Sequence, residues 1–204
     1  MDYKNLVKSG YNKVADDYLT ARTCNSEDIL LLDDLIRRLH EKAKVLDAGC
    51  GAGIPVAQIL SERFTVIGVD FSEAQIELAR KNVPNISFLC QDITQLDFQD
   101  GTFDAICSYY AIIHIPRQEH QSLFLNFHRI LKPGGLALLC LGAEDLIDHI
   151  DENFFGAHMY WSHFDTETYL QMLEETGFFI LWSRIVKDET CEGGEHLFVL
   201  AQKN

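Results

Sequence analysis

A chain of 204 residues, 47% hydrophobic and 24% charged, is long enough for one well-buried unit and short for two. Its 17 Lys and Arg stand against 31 Asp and Glu, a formal net charge of −14 with no dense basic cluster, which argues against a nucleic-acid partner. No apolar run reaches the roughly 18 to 20 residues of a membrane span, no signal-peptide core is present, and the six cysteines contain no CxxC pair. The expectation is a soluble protein of the reducing cytoplasm, monomeric or homodimeric.

In chain order, Tyr3, Leu6, Val7, Tyr11, Val14, Ala15 and Tyr18 recur at helical spacing and predict an amphipathic cover. Asn25 or Ser26 is placed to cap a second helix running to about His40, with Ile29, Leu32, Leu35, Ile36 and Leu39 as its apolar stripe. The period then changes. Strand-like and helical runs alternate: Lys44 to Ala48, Ile54 to Ser61, Thr65 to Val69, Glu73 to Lys81, Ile86 to Cys90. That alternation implies parallel pairing through right-handed crossovers, hence an α/β doubly wound sheet.

Ser72 and Gln75 have the spacing of a capping box at the start of the Glu73 helix. Farther on, Phe103 to Ser108 reads as a fourth strand, Leu123 to Leu131 as a helix, and Lys132-Pro-Gly-Gly135 as a turn into the strand Leu136 to Leu141. Thr166 to Thr176 is predicted helical, capped by Asp165, with Gly177 placed for a left-handed C-terminal cap. Phe178 to Val186 and Leu197 to Ala201 form a strand pair joined at Glu192-Gly-Gly-Glu195.

The stretch Val45-Leu-Asp-Ala-Gly-Cys-Gly-Ala-Gly53 is a buried strand running into a glycine turn, suited to close approach of a ligand to the main chain. Ligands of open parallel sheets bind beyond the strands' carboxyl ends, which aligns this turn with Asp70, Asp92, Ser108 and Tyr109. A carboxylate at Asp70 is placed to accept from a ribose diol. The glycines do not fit the dinucleotide spacing G-x-G-x-x-G, and Asp47 before the turn disfavours pyrophosphate while favouring a cationic ligand. S-adenosylmethionine, with a sulfonium and an ammonium and no phosphate, is such a ligand.

Together with Val69-Asp-Phe-Ser72, Gln91-Asp-Ile93, Phe103-Asp-Ala-Ile-Cys-Ser108 and Leu131-Lys-Pro-Gly-Gly135, this stretch resembles, in order and spacing, the motifs of class I S-adenosylmethionine-dependent methyltransferases. The resemblance implies a Rossmann-like sheet of seven strands, ordered 3-2-1-4-5-7-6 with strand 7 antiparallel, under an N-terminal helical cover. It divides a single domain into residues 1–42 (cover), 43–141 (cofactor-binding core), 142–165 (acceptor lid) and 166–204 (C-terminal helix and strand pair). It places Gly49 and Gly51 beneath the methionine part with Asp47 near it, counts Ala48 and Cys50 among the cofactor-binding residues, and puts Asp70 on the ribose and Phe71 on adenine. Asp92 would accept from the adenine amino group, Ile93 would supply a backbone contact, and Ser108 or Tyr109 would close the methionine side. Cys50 reads as a small neutral filler.

The activity implied is transfer of the methyl group to a small-molecule acceptor by in-line displacement, leaving S-adenosylhomocysteine. The alternatives are a methyltransferase-like protein that binds the cofactor without chemistry and a nicotinamide oxidoreductase. Candidate bases are His114, after the fourth strand, and His163, in the aromatic and His-rich stretch Ala143 to Phe164 that reads as an acceptor lid. Tyr11 and Tyr18 either touch the cofactor or simply bury an aromatic stripe. No metal is expected, since neither HExxH nor Cys/His ligand spacing occurs. The absence of Asn-Pro-Pro-Tyr, Asp-Pro-Pro-Tyr and Pro-Cys disfavours amine methylation of nucleic acid and C5 methylation of cytosine.

Overall fold

The computed structural model describes residues 2–21, 26–188 and 194–204. The chain runs α1 (Tyr3–Ala21), α2 (Glu27–Leu30), α3 (Leu32–Arg38), β1 (Lys44–Ala48), α4 (Val56–Ser61), β2 (Thr65–Asp70), α5 (Glu73–Asn82), β3 (Ser87–Cys90) and β4 (Phe103–Ser108). It continues through α6 (His120–Ile130), β5 (Leu131–Gly142), β6 (Leu146–Phe154), β7 (Ala157–His163), α7 (Thr166–Glu175), β8 (Phe178–Lys187) and β9 (Glu195–Lys203).

Seven strands form one sheet in the order β3-β2-β1-β4-β5-β9-β8. The five strands from β3 to β5 are parallel, and β9 is antiparallel to both β5 and β8. Apart from the inserted β6–β7 hairpin, this is the expected order with the expected reversed strand.

Side-chain alternation along the central strands explains why both faces are covered. Val45, Ala105, Cys107, Leu136, Leu138 and Cys140 enter the core shared with Leu35, Leu60, Ile76 and Phe88. Their neighbours Leu46, Ile106, Ala137, Leu139 and Leu141 point to the opposite core with Phe124, Phe127 and Tyr169. Strands buried on both faces read as near-continuous apolar runs, which is how they appear in the sequence.

A third cluster lies outside the sheet. Val7 and Val14 of α1 pack on Phe154, Met159 and Tyr160 of the hairpin. Gly10 makes this contact close: a Cβ there would fall 2.8 Å from the His158 carbonyl oxygen.

Local signals located several termini well. Asp165 accepts from Thr168 N at 2.8 Å at the start of α7, and Gly177 takes φ +95° after its end. Three predicted boundaries differ. The helix expected from Ser26 to about His40 is broken at Leu31, and Ser26 makes no side-chain cap; Asn25 lies outside the described residues. Pro55 is the N-cap of α4, which starts at Val56. The segment Lys132 to Gly135, expected as a turn, belongs to β5, where a register shift opposite Phe103 to Ala105 absorbs the extra residues. Of the predicted turn Glu192 to Glu195, residues 192 and 193 lie outside the described residues.

Candidate cofactor and acceptor site

The strand order reverses between β1 and β4, the point at which open α/β sheets bind ligands. A cleft enclosing about 970 Å³, its open mouth included, lies beyond these strand ends and under α1. Its floor is the turn after β1. Gly49 (φ +82°), Gly51 (φ +49°) and Gly53 (φ +77°) all take the left-handed region. Gly49 is also held by space, since a Cβ would stand 2.1 Å from that of Ala111.

Asp70 braces this turn from β2. Its Oδ2 accepts from Gly51 N at 3.0 Å and its Oδ1 from Ser72 N at 2.9 Å. It keeps partial solvent access, yet the protein packed around it pushes its pKa up to about 6, against the pull of those amides. Asp47 is more deeply placed, at 1% exposure, and its Oδ2 has no hydrogen-bond partner. Burial first, and the charge of Asp70 second, push its pKa up to about 8. A buried acidic group without a partner at this oxygen fits a cationic group of a ligand, whose positive charge favours its ionised form. The Cys50 thiol is raised well above its ordinary value by burial, which keeps it neutral.

At the far side of the cleft, Asp92 caps the short 3₁₀ turn Ile93–Gln95 through Thr94 N at 2.8 Å, and its other oxygen meets Lys4 Nζ at 3.1 Å. Lys4 also reaches Thr94 Oγ1 and Glu119, so α1 is strapped across this end. Phe71 lines the cleft and packs against the cluster of α1 and the hairpin.

Tyr11 and His114 form another part of the cleft wall. Tyr11 Oη lies 2.9 Å from His114 Nε2, and His114 Nδ1 lies 2.8 Å from the Tyr160 carbonyl oxygen on β7. A carbonyl only accepts, so Nδ1 carries the proton and Nε2 accepts from the Tyr11 hydroxyl. Burial lowers the His114 pKa to about 4, which makes the ring neutral at physiological pH. Tyr110, next to this wall, holds φ +54°, a conformation that bulky residues adopt rarely.

Tyr11, Asp47, Gly49, Cys50, Gly51, Asp70, Phe71, Asp92, Ile93, Tyr109 and His114 thus line one cleft. Three of the residues singled out in the sequence do not. Ala48 is part of the buried strand, and Ser108 is fully buried, its hydroxyl donating to the Ala48 carbonyl at 2.8 Å. His163 packs on the end of β5, where only a glycine leaves room: a Cβ on Gly142 would fall 2.0 Å from its Nδ1. That nitrogen meets the Glu144 carbonyl at 2.6 Å. Tyr109 offers the cleft its ring alone, because its hydroxyl donates to the Asp28 carbonyl at 3.1 Å.

Lys4, Gln75 and Ala111 are cleft residues the sequence did not single out as such. Gln75 was hidden by its spacing from Ser72, which reads as a capping box. Only half of that box forms: Ser72 Oγ accepts from Gln75 N at 3.2 Å, while the Gln75 side chain turns to the cleft.

Sheet order, glycine turn and strand-end carboxylates define the class I methyltransferase fold. Residues 45–135 match the family model described as "Methyltransferase domain". Sterol 24-C-methyltransferase of Debaryomyces hansenii is 31% identical over 162 residues, covering 66% of this chain and 41% of that protein. The chain spans about half the length of the first such curated relatives. A solved S-adenosylmethionine-dependent methyltransferase from Methanosarcina mazei superposes with a TM-score of 0.73 at 22% identity, covering 83% of this chain and 96% of that one. So does 1,6-didemethyltoxoflavin-N1-methyltransferase of Burkholderia thailandensis, solved with S-adenosylhomocysteine, with a TM-score of 0.71 at 21% identity over 96% and 84% of the two chains. Residues 45–135 thus carry a methyltransferase domain, and the fold around it is that of solved S-adenosylmethionine-dependent methyltransferases.

Proposed function

We propose that this chain transfers the methyl group of S-adenosylmethionine to a small-molecule acceptor bound in the cleft under α1. The observation that carries this reading is the Tyr11–His114 pair lining the same cleft as Asp47 and the glycine turn. The cofactor supplies an activated methyl group. The chain's own task is then to align the acceptor, exclude water and remove a proton where the acceptor has one to lose.

The residues divide accordingly. Asp47 holds a cationic group, Asp70 takes hydroxyls, Phe71 and Ile93 flank a flat ring, and Asp92 accepts beyond it. Tyr11 Oη receives the acceptor's proton as its own passes to His114 Nε2, a transfer for which the Tyr160 carbonyl has already fixed the tautomer. Residues 1–42 serve as the cover and 142–165 as the acceptor lid of a single domain. Tyr18, Leu19, Ile54, Pro55 and Tyr110 give the acceptor end an apolar and aromatic lining, and the net charge of −14 supports a small molecule over nucleic acid. Among the described residues no helix is long and apolar enough to cross a membrane.

Release of S-adenosylhomocysteine, screened over amines, phenols, thiols, carboxylates and metalloid acceptors, tests the reading. Turnover with one class supports it. Calorimetry showing no binding of either S-adenosylmethionine or S-adenosylhomocysteine would overturn it.

A further inference from the structure

Gln75 sits in the first turn of α5 at 1% exposure, and neither its Nε2 nor its Oε1 has a hydrogen-bond partner. An amide buried without partners is costly, and native proteins keep such groups where something other than the fold requires them. The side chain is aimed into the cleft: Oε1 lies 3.7 Å from where a Cβ on Gly51 would stand. Gly51 is also the residue whose N–H Asp70 holds at 3.0 Å. Gln75 and Asp70 therefore address the same corner of the glycine turn, from α5 and from β2.

The chemistry of the two groups is complementary. A carboxylate only accepts hydrogen bonds, whereas an amide both donates and accepts. An ammonium donates to Asp70 and to Gln75 Oε1 but leaves Gln75 Nε2 without an acceptor, and a carboxylate ligand serves Nε2 alone, so neither satisfies both ends of the amide together with Asp70. A vicinal diol does: each hydroxyl donates through its proton and accepts at its oxygen. Asp47, ionised and then acceptor-only beside a positive charge, suits the cationic end of the same ligand.

Resting on the cofactor reading above, we propose that Gln75 is a cofactor-binding residue whose amide, with Asp70, clasps the ribose hydroxyls of S-adenosylmethionine. The hydroxyl protons go to Asp70, and Gln75 Nε2 donates to a hydroxyl oxygen. Gln75 is then a selectivity device, favouring the ribose diol over ligands that lack it.

The test is calorimetry of S-adenosylhomocysteine and of its 2′,3′-dideoxy analogue with the wild type, Gln75→Met and Gln75→Asn, alongside thermal unfolding of each free protein. Gln75→Met should bind S-adenosylhomocysteine about tenfold more weakly, equivalent to about 1.4 kcal/mol, and the dideoxy analogue as well as the wild type does. Its free form should melt no lower than the wild type, because an unpaired buried amide has been removed. Gln75→Asn, which withdraws the amide by one methylene, should lose affinity for S-adenosylhomocysteine similarly. Unchanged affinity in Gln75→Met, or an equal loss for both ligands, overturns the role of Gln75 while leaving the cofactor reading intact. A wild type that binds neither ligand overturns the cofactor reading and the proposal with it.

Discussion

Tyr11 on α1 and His114 beyond β4 meet at 2.9 Å, and the hairpin closes the arrangement from behind through the Tyr160 carbonyl. Three separate elements thus fix one neutral imidazole with its free lone pair toward a phenol at the cleft. A positioned acid–base group contributes typically 10²–10⁴-fold to a proton-transfer step. Tyr11→Phe and His114→Asn should therefore each lower the turnover of a proton-bearing acceptor by roughly 100-fold or more, while affinity for S-adenosylhomocysteine stays within about twofold. Turnover and calorimetry read the two effects apart, and a variant that loses cofactor affinity but not turnover would place the pair on the cofactor instead.

Asp70 has a different signature, since it serves the turn and the ligand at once. Asp70→Ala removes the acceptor of Gly51 N and Ser72 N. Binding of S-adenosylhomocysteine should weaken by about 1.5 to 3 kcal/mol, the range for lost hydrogen bonds to a charged group. Calorimetry at neutral pH measures this, and unchanged affinity would mean that the ribose lies elsewhere.

The turn itself gives a prediction about stability. Gly49→Ala sets a Cβ 2.1 Å from that of Ala111 and forces a side chain to φ +82°. Overpacking of this kind costs about 1 to 3 kcal/mol, and the backbone conformation adds to it. Denaturant unfolding of Gly49→Ala should show that loss. Gly156→Ala is a matched control, because its φ of +86° is similar and a Cβ there meets nothing within 4 Å. Equal losses in the two variants would assign the effect to φ alone.

How far the sequence discloses this site depends on how local each determinant is. The glycine turn, Asp70, the Asp165 cap and Gly177 are legible because their roles are set by residues a few positions away. The β6–β7 hairpin is not, since Leu146–Phe154 is mostly exposed, lacks strict alternation and pairs through register shifts. His114 and His163 look equivalent in the sequence; tertiary packing alone sends one to the cleft and the other onto Gly142. Gln75 is misleading for the opposite reason, because a good local signal, the capping box, predicts a partner that its side chain does not take.

Asp47 links the site to pH. Its folded pKa is raised to about 8, against about 3.9 for an unperturbed aspartate. Between those values the folded protein keeps a proton that the unfolded chain has released, so the free protein loses stability as pH rises through this window and levels off outside it. Asp70, raised to about 6, acts in the same direction over the lower part. Asp47→Asn should therefore melt with a flatter dependence between about pH 5 and pH 8, as thermal unfolding across that range will show. A cationic ligand reverses the preference, because positive charge beside Asp47 favours its ionised form. Binding S-adenosylhomocysteine, whose ammonium provides that charge, should release a proton near neutral pH and tighten as pH rises toward about 8. Calorimetry in phosphate and in Tris should give different apparent enthalpies for the wild type and closely similar ones for Asp47→Asn. Buffer-independent wild-type enthalpies would mean that Asp47 keeps its proton in the complex and faces no cation.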